Sequence, residues 1–241
     1  MAFISIVIPA YNEQKRLPRT LDLILDYLAQ RPALSSEVIV VDDGSSDSTA
    51  NLVEDYAGRN PSIRLLRNPG NRGKGYAVRN GMLAARGEWI LFTDADLSAP
   101  IEELDTLLAA ATADQGAVLI GSRAINRTLI AVRQPVFREY MGRFFNVVMR
   151  LVTGLPFRDT QCGFKLYRAD AGQAVFSRQQ MEGFSFDVED LVIAQARGFR
   201  TIEVPVRWSD APGTKVSAWN GFRSFVDLLR IRWYQLSGRY R

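Results

Sequence analysis

The chain has 241 residues, of which 47% are hydrophobic and 23% charged, a balance typical of a folded protein with a sizeable core. It contains no histidine and a single cysteine, Cys162, which excludes an imidazole base, a Ser-His-Asp relay, a histidine-ligated zinc site and an intrachain disulfide. The formal charge of +4 favours acidic partners, namely nucleic acid, anionic lipid or phosphorylated substrates.

The first half of the sequence alternates strand-like and helix-like segments. Apolar runs that end in turn-forming residues predict strands, and apolar residues at helical spacing predict the helices between them. Strands are predicted over 4–8, 38–41, 63–66 and 89–92, and helices over 17–28, 48–56 and 75–85. Because strands alternating with helices pair in parallel through right-handed crossovers, this pattern predicts an α/β fold with a doubly wound, mostly parallel sheet. Such sheets bind ligands at the carboxyl ends of their strands.

The second half is less regular, but it continues the same types of element. Strands are predicted over 118–120, 163–167 and 201–208, and helices over 136–151, 188–196 and 219–236. No stretch rich in glycine, serine or proline interrupts the pattern as a linker would. We therefore expect one continuous domain over residues 1–241.

The strongest functional signal is the acidic triplet Asp94-Ala95-Asp96, which directly follows the apolar strand 89–92. Two carboxylates separated by one small residue can approach a single hard cation. Mg²⁺ and Mn²⁺ favour oxygen ligands of this kind and take their remaining ligands from substrate phosphates and water. The alternative is a solvated turn that caps the helix expected to begin near Pro100, and the triplet alone does not distinguish the two.

Three further polar segments follow strands of the same predicted sheet. Asp42 and Asp43 follow the second strand, where a carboxylate can bind a base or ribose, although a polar loop that caps the next helix is the alternative. Tyr11 follows the first strand and offers a ring for stacking on a base. The basic loop 71–75 leads into a helix whose N-terminus favours phosphate, and it matches neither a Walker loop nor a Gly-x-Gly-x-x-Gly motif. Together with the acidic triplet, these segments predict a ligand site at one edge of the sheet.

Taken together, the motifs resemble glycosyltransferase family 2, whose members have the nucleotide-diphosphosugar (GT-A) fold. Motifs of the second half resemble the dolichyl-phosphate β-glucosyltransferases, which are near relatives of the dolichyl-phosphate mannose synthases. The segments that carry the resemblance are 9–13, 41–45, 94–96, 158–165, 186–189, 203–208 and 213–215. The mannose synthases have an arginine shortly before the lysine that matches Lys215. Ala211 stands there in this chain, which favours the glucosyl branch.

The resemblance implies roles for residues at matching positions. Asp94, Asp96 and Asp159 are implied to be catalytic, with Asp94 and Asp96 as ligands of Mg²⁺ or Mn²⁺. Arg158 and Lys165 are expected to neutralise the acceptor phosphate. Residues 1–125 would form the nucleotide-sugar-binding half and residues 126–241 the half that faces acceptor and membrane. The expected nucleotide-sugar site comprises Pro9, Tyr11, Glu13, Val41, Asp43, Lys74, Asp94, Ala95, Asp96, Arg123 and Lys215.

A polyprenyl-phosphate acceptor would explain how transfer proceeds without histidine. A hydroxyl nucleophile needs a general base, whereas a phosphate monoester is already largely dianionic at pH 7. We therefore expect inverting transfer of a hexose, glucose from UDP-glucose, to a polyprenyl (dolichyl or undecaprenyl) phosphate. The alternatives are mannosyl transfer from GDP-mannose, family 2 transfer to a saccharide acceptor, and a nucleotide- or phospholipid-binding module without activity.

The helices predicted over 136–151 and 219–236 combine arginines with aromatic and aliphatic side chains. Basic amphipathic helices lie in the headgroup region of anionic membranes, so we expect peripheral association with the inner, cytoplasmic face of a membrane. The alternatives are that their apolar faces pack on the core or form a contact in a homo-oligomer. We expect no signal peptide, no spanning helix and no nucleic-acid partner, since the apolar runs are short and the arginines are scattered.

Overall fold

A seven-stranded sheet at the centre of the molecule takes strands from both halves of the chain. The structure, a computed structural model, describes residues 3–132, 136–210 and 218–241, and the side chains of all of these except 136–139 and 218–224. Two positions used in the sequence predictions, Ala211 and Lys215, lie outside the described residues.

The elements follow the predicted alternation. The strands are β1 (Ile4–Ala10), β2 (Ser36–Asp42), β3 (Ile63–Arg67), β4 (Trp89–Thr93), β5 (Val118–Ser122), β6 (Ile130–Val132), β7 (Phe164–Arg168), β8 (Thr201–Pro205) and β9 (Trp208–Ser209). The helices are α1 (Leu17–Ala29), α2 (Thr49–Arg59), α3 (Lys74–Ala84), α4 (Glu103–Asp114), α5 (Val136–Thr153), α6 (Ala169–Phe176), α7 (Phe186–Ala196) and α8 (Ala218–Leu236), with a 3-10 turn at Arg127–Leu129.

The strand order of the large sheet is β3-β2-β1-β4-β7-β5-β8, and every neighbouring pair is parallel except the two pairs that contain β7. This arrangement confirms the predicted α/β class and the mostly parallel sheet. Because β7 runs in the opposite direction, its first residue, Phe164, pairs with Thr93 at the end of β4. The segment before β7 therefore reaches the same edge as the acidic triplet.

Both faces of the sheet are covered, which explains why its strands are nearly continuous apolar runs. Side chains alternate along β1, so Ile6 enters one apolar cluster and Val7 enters the other. The first cluster joins the sheet to α1, α2 and α4, and the second joins it to α3, α5, α6, α7 and α8. The helices thus fix both sides of the sheet and leave the carboxyl edge open.

Some predicted elements are wrong in extent, and others, including β6 and the 3-10 turn, were not predicted. The strand predicted over 201–208 ends at Pro205, because its partner β5 ends opposite it at Ser122, and β9 pairs instead with β6. The helix predicted from residue 188 begins at Phe186, which brings Asp187 into its first turn. Helix α6 was not predicted, and it follows β7 without an intervening loop.

Candidate active site

A cleft of about 930 Å³ opens at the sheet edge where β1, β2 and β4 end. The loop before α3, the segment before α7 and one face of α8 form its other walls. Of the residues predicted for the nucleotide-sugar site, those that line this cleft are Pro9, Tyr11, Glu13, Asp43, Lys74, Asp94, Ala95 and Asp96. The sheet therefore brings together motifs that are up to about a third of the chain apart, as parallel strands predict.

Asp94 is held at the floor of the cleft by its neighbours in space. Its N–H donates to the carbonyl of Gly163, 3.1 Å away, and its Oδ1 accepts from Lys74 Nζ at 2.6 Å. A methyl group at Gly163 would overlap the Asp94 carboxylate, so only glycine fits beside it. Burial opposes the charge of Lys74, but Asp94 and Asp187 outweigh it and raise the pKa of Lys74. Lys74 therefore remains a cation beside the predicted metal ligand.

Asp96 lies on the turn that follows Asp94. Its Oδ1 accepts hydrogen bonds from the Ser98 N–H at 3.0 Å and hydroxyl at 2.9 Å, and its Oδ2 is 3.7 Å from an Arg16 nitrogen. The triplet does not cap the next helix, because α4 begins at Glu103 and the residue at its N-cap is Glu102. Two hard carboxylates on one turn suit Mg²⁺ or Mn²⁺. Among the described residues no group of three acidic, cysteine or histidine side chains could hold a metal alone, so the substrate's phosphates and water would complete the shell.

Asp43 organises the loop that forms the opposite wall. Its carboxylate accepts from the Asn68 side chain at 2.7 Å and from the N–H groups of Arg72 at 3.2 Å and Gly73 at 2.7 Å. Gly73 has φ 110° and lies against the Glu182 carbonyl, where a Cβ would be 2.5 Å from the oxygen. The carboxylate thus shapes the site through the loop, in addition to lining the cleft.

Glu13 and Arg16 form a pair at the end of β1. Arg16 donates to both Glu13 carboxylate oxygens, at 2.7 and 2.5 Å, and the Glu13 N–H donates to the Thr49 hydroxyl at 2.8 Å. Arg16 also faces Asp96, so one guanidinium joins the predicted nucleoside wall to the predicted metal ligands. Tyr11 stands at the cleft with its ring partly exposed. A flat, accessible ring beside charged groups is a suitable surface for a base.

Lys165 lies beneath the cleft and does not line it. Its side chain is fully buried, its Nζ pairs with Asp187, and it is 3.7 Å from Asp190 Oδ2. Burial disfavours its charge, but the two carboxylates outweigh burial and raise the pKa of Lys165. Burial also raises the pKa of Asp190 to about 7, and the Tyr167 hydroxyl donates to that carboxylate at 2.5 Å. A lysine so enclosed offers no surface to an acceptor phosphate, so the predicted direct contact does not fit the structure.

Arg123 and Asp159 form a bidentate pair after β5, with nitrogen–oxygen distances of 2.7 and 2.8 Å. Burial opposes the charge of Asp159, but Arg123 outweighs it and lowers the pKa of Asp159. Glu203 fixes the neighbouring backbone by accepting from the N–H groups of Arg158 and Asp159. Neither member of the pair lines the cleft, the Arg158 side chain is exposed, and Val41 is buried within β2. Their proposed contacts with substrate stay predictions.

Several cleft residues were missed by the sequence predictions. Arg16, the segment 180–184 and three residues of α8, namely Asp227, Arg230 and Tyr234, all line the cleft. The spacing of those three, at i, i+3 and i+7, is that of one helix face, which was a signal available in the sequence. The segment 180–184 carried no comparable pattern.

The sequence matches a known family over most of its length. Residues 5–176 match the model of glycosyl transferase family 2. A dolichyl-phosphate beta-glucosyltransferase of Trichomonas vaginalis is 38% identical over 244 residues, covering 98% of this chain and 72% of that protein. Proteins of the same name from Homo sapiens and Saccharomyces cerevisiae are 38% and 32% identical over 250 and 256 residues, covering 99% of this chain and 77% of each.

Solved structures agree on the fold. Mannosyl-3-phosphoglycerate synthase from Rubrobacter xylanophilus aligns with a TM-score of 0.70 at 15% identity, over 99% of this chain and 75% of that one. Glucosyl-3-phosphoglycerate synthase from Mycobacterium tuberculosis, in complex with Mn²⁺, UDP-glucose and phosphoglyceric acid, aligns with a TM-score of 0.67 at 18% identity, over 96% and 80%. These likenesses show the GT-A fold, and the sequence match shows the family. The chain belongs to glycosyl transferase family 2.

Proposed function

We propose that this protein transfers glucose from UDP-glucose to a polyprenyl phosphate, with inversion at the anomeric carbon. The observation that carries the proposal is the meeting of Asp94 and Asp96 with Lys74 and Arg16 in one cleft at the carboxyl edge of the sheet. The cleft volume lies within the range of small-molecule sites. The names of the sequence relatives support glucose as the sugar and a dolichyl-type phosphate as the acceptor.

The donor nucleotide is proposed to lie across the ends of β1 and β2, with Tyr11 and Asp43 beside the nucleoside. A Mg²⁺ or Mn²⁺ ion held by Asp94 and Asp96 would offset the negative charge of the departing nucleoside diphosphate. Lys74 would add positive charge at the same place, because it is 2.6 Å from Asp94 and begins α3. A solved structure of the same fold contains Mn²⁺ and UDP-glucose, which supports this choice of metal and donor.

The acceptor phosphate is proposed to react directly with the sugar. One phosphate oxygen forms a bond to the anomeric carbon while the bond from that carbon to the diphosphate oxygen breaks, and the electron pair leaves with the nucleoside diphosphate. An α-linked donor then gives a β-linked sugar phosphate. No residue has to remove a proton, because the acceptor is already an anion at neutral pH. The task of the protein is to align two anions and balance their charge.

A panel of nucleotide sugars tests this proposal. With Mn²⁺ and a short-chain polyprenyl phosphate, we expect the wild-type protein to release UDP from UDP-glucose at least tenfold faster than it releases nucleotide from GDP-mannose. The product should be β-linked by NMR. Faster turnover of GDP-mannose would support mannosyl transfer as the alternative. Turnover only with a saccharide acceptor would support family 2 transfer to a saccharide. An α-linked product would contradict direct displacement.

An exposed apolar surface on α5 and α8 supports a membrane-facing role. Leu151 on α5 and Leu229, Trp233 and Leu236 on α8 have 81%, 65%, 59% and 71% of their surface exposed. The two helices pack on each other through contacts such as Phe145 with Phe225, so one helix pair carries all of these exposed apolar side chains. No helix among the described residues has the length and apolar character needed to cross a bilayer. We therefore propose that the protein associates peripherally with the cytoplasmic face of a membrane through this surface.

Vesicle flotation tests the membrane surface. We expect the wild-type protein to float with vesicles that contain anionic lipid, and the double variant Leu229→Ser with Trp233→Ser to bind at least about tenfold more weakly, because burying each large apolar side chain contributes about 1.5–3 kcal/mol. The matched control is Leu23→Ser, which alters an exposed leucine on α1. Equal binding by the double variant and the wild type would contradict the proposal. If light scattering gives the wild type twice the molar mass of one chain and the double variant the mass of one chain, the surface is a homo-oligomer contact instead.

A further inference from the structure

We infer that Arg230 binds the phosphate of the lipid acceptor and that α8 guides the apolar chain of that lipid to the cleft. This inference rests on the proposed function and adds to it a residue that neither the motifs nor the family resemblance marks out. Three observations support it: the position of Arg230 on α8, the exposure of its guanidinium, and the burial, pairing or distance from the cleft of the other cations considered for the acceptor phosphate.

Helix α8 has three distinct faces. With 3.6 residues per turn, Asp227, Arg230 and Tyr234 lie on one face, and they line the cleft. On one side of that face, Leu228 and Ile231 are buried in the core. The face toward the cleft is therefore anchored, and its side chains are fixed relative to the ends of the sheet strands.

The other neighbour of the cleft face is apolar and exposed. Val226, Leu229 and Trp233 repeat at the same i, i+3, i+7 spacing one position earlier, and all are exposed. Position 230 is the member of the cleft face nearest to this stripe, about 40° around the helix from position 226. A ligand with an anionic head and an apolar chain would meet Arg230 with its head while its chain lies on the exposed stripe. A polyprenyl phosphate has this composition.

Arg230 is also the cleft cation with the loosest carboxylate contact among the described side chains. Arg16, Arg72 and Lys74 each have a carboxylate oxygen at 2.5 or 2.6 Å. The Arg230 guanidinium is 3.4 Å from Asp227, and its side chain is 61% exposed. The Asp227 carboxylate is in turn held by the Ser185 hydroxyl at 2.9 Å. A guanidinium that keeps most of its donors open can bind phosphate in a bidentate manner.

The basic residues that the motifs suggested for the acceptor phosphate are not placed to bind it in the cleft. Lys165 is fully buried and paired with two carboxylates, and Arg158 is exposed away from the cleft. Arg123 is occupied by Asp159. Within the described part of the chain, Arg230 alone combines a place in the cleft, an open guanidinium and an adjacent apolar stripe.

Steady-state kinetics with a short, water-soluble prenyl phosphate tests the inference. We expect Arg230→Gln to raise the KM for the prenyl phosphate about tenfold or more, as loss of a charged hydrogen bond implies, while the KM for UDP-glucose and the affinity for UDP change less than twofold. Arg230→Lys should recover part of the loss, because it restores the charge without the bidentate geometry. The matched control is Arg232→Gln, which removes the same charge from the same helix, where Arg232 donates to Gln235 and does not line the cleft.

Two further experiments test whether Arg230 binds the phosphate group of the acceptor or the anionic membrane surface. Inorganic phosphate should compete with the prenyl phosphate in the wild type and about tenfold less well in Arg230→Gln, if the site recognises the phosphate itself. Flotation with anionic vesicles that lack the acceptor should be weakened equally by Arg230→Gln and Arg232→Gln. A selective loss of vesicle binding in Arg230→Gln, with the acceptor KM unchanged, would assign the residue to the bulk membrane surface and overturn the inference.

The outcomes separate this inference from the proposed function. If the wild type transfers sugar to the prenyl phosphate and Arg230→Gln keeps its acceptor KM, or raises the UDP-glucose KM equally, the inference is wrong and the proposed function stands. If the wild type binds UDP but transfers no sugar to any prenyl phosphate, the proposed function fails first and the inference fails with it.

Discussion

Replacing Asp94 by asparagine should lower the rate of sugar transfer by about a hundredfold or more. The substitution keeps the shape of the side chain but removes the charge that attracts the divalent ion, and a metal contributes several kcal/mol of charge stabilisation to such a reaction. It also removes the carboxylate 2.6 Å from Lys74, whose charge would then be balanced by Asp187 and Asp96. We expect kcat to fall and the fold to be retained, because Asp94 is about one-third exposed.

The measurement is initial-rate release of UDP, with circular dichroism and thermal unfolding to check the fold. Asp170→Asn is the matched control, since Asp170 pairs with Arg168 at the surface of α6 and does not line the cleft. Wild-type turnover in Asp94→Asn would be incompatible with the proposed metal site.

Replacing Lys165 by methionine should destabilise the protein by about 3–5 kcal/mol, the cost of removing one partner from a buried ion pair. The change leaves the carboxylates of Asp187 and Asp190 buried without the ammonium group that contacts both of them. Denaturant unfolding measures the effect. Lys15→Met, at an exposed position on the loop before α1, is the matched control and should change stability by less than about 0.5 kcal/mol. A loss below about 1 kcal/mol in Lys165→Met would contradict the buried network.

The cost of Lys165→Met should depend on pH. Burial raises the pKa of Asp190 to about 7, above its ordinary value near 4, so the stability contributed by its protonation is complete below about pH 4 and is lost as the pH rises toward 7. Without the lysine, whose charge lowers it, the folded-state pKa of Asp190 should rise further. The destabilisation should therefore be largest near pH 8 and shrink toward pH 5. Adding Asp190→Asn to Lys165→Met should restore part of the stability at pH 8, because one buried charge is removed.

The sequence was most informative where a strand ends in charged residues. Apolar runs followed by acids located the ends of β2 and β4 and thus two sides of the cleft, because parallel strands present their carboxyl ends at one edge. The direction of β7 could not be read in this way, since the alternation of side chains along Phe164–Arg168 is the same whichever way the strand runs. That direction is what places Gly163 against Asp94.

Lys165 shows why a motif match does not determine exposure. The sequence alternates from Phe164 to Tyr167, so Lys165 and Tyr167 face the same side of β7. Asp187 and Asp190 are three residues apart on α7, and the packing of α7 on the sheet brings them to that side. Only tertiary packing reveals that buried carboxylates of α7 balance the charge of Lys165. The same holds for α8, because membrane association, core packing and a homo-oligomer contact were the alternatives considered for it, and none of them placed its polar face in the cleft.

Metal-dependent binding of UDP tests the central claim most directly. Calorimetric titration should show that Mn²⁺ or Mg²⁺ raises the affinity of the wild-type protein for UDP at least tenfold, and that Asp94→Asn and Asp96→Asn each lose most of this increase while they keep the metal-free affinity. If neither ion changes the affinity of the wild type for UDP, or if both variants respond to the ions as the wild type does, Asp94 and Asp96 do not hold a metal–nucleotide complex and the proposed mechanism is wrong.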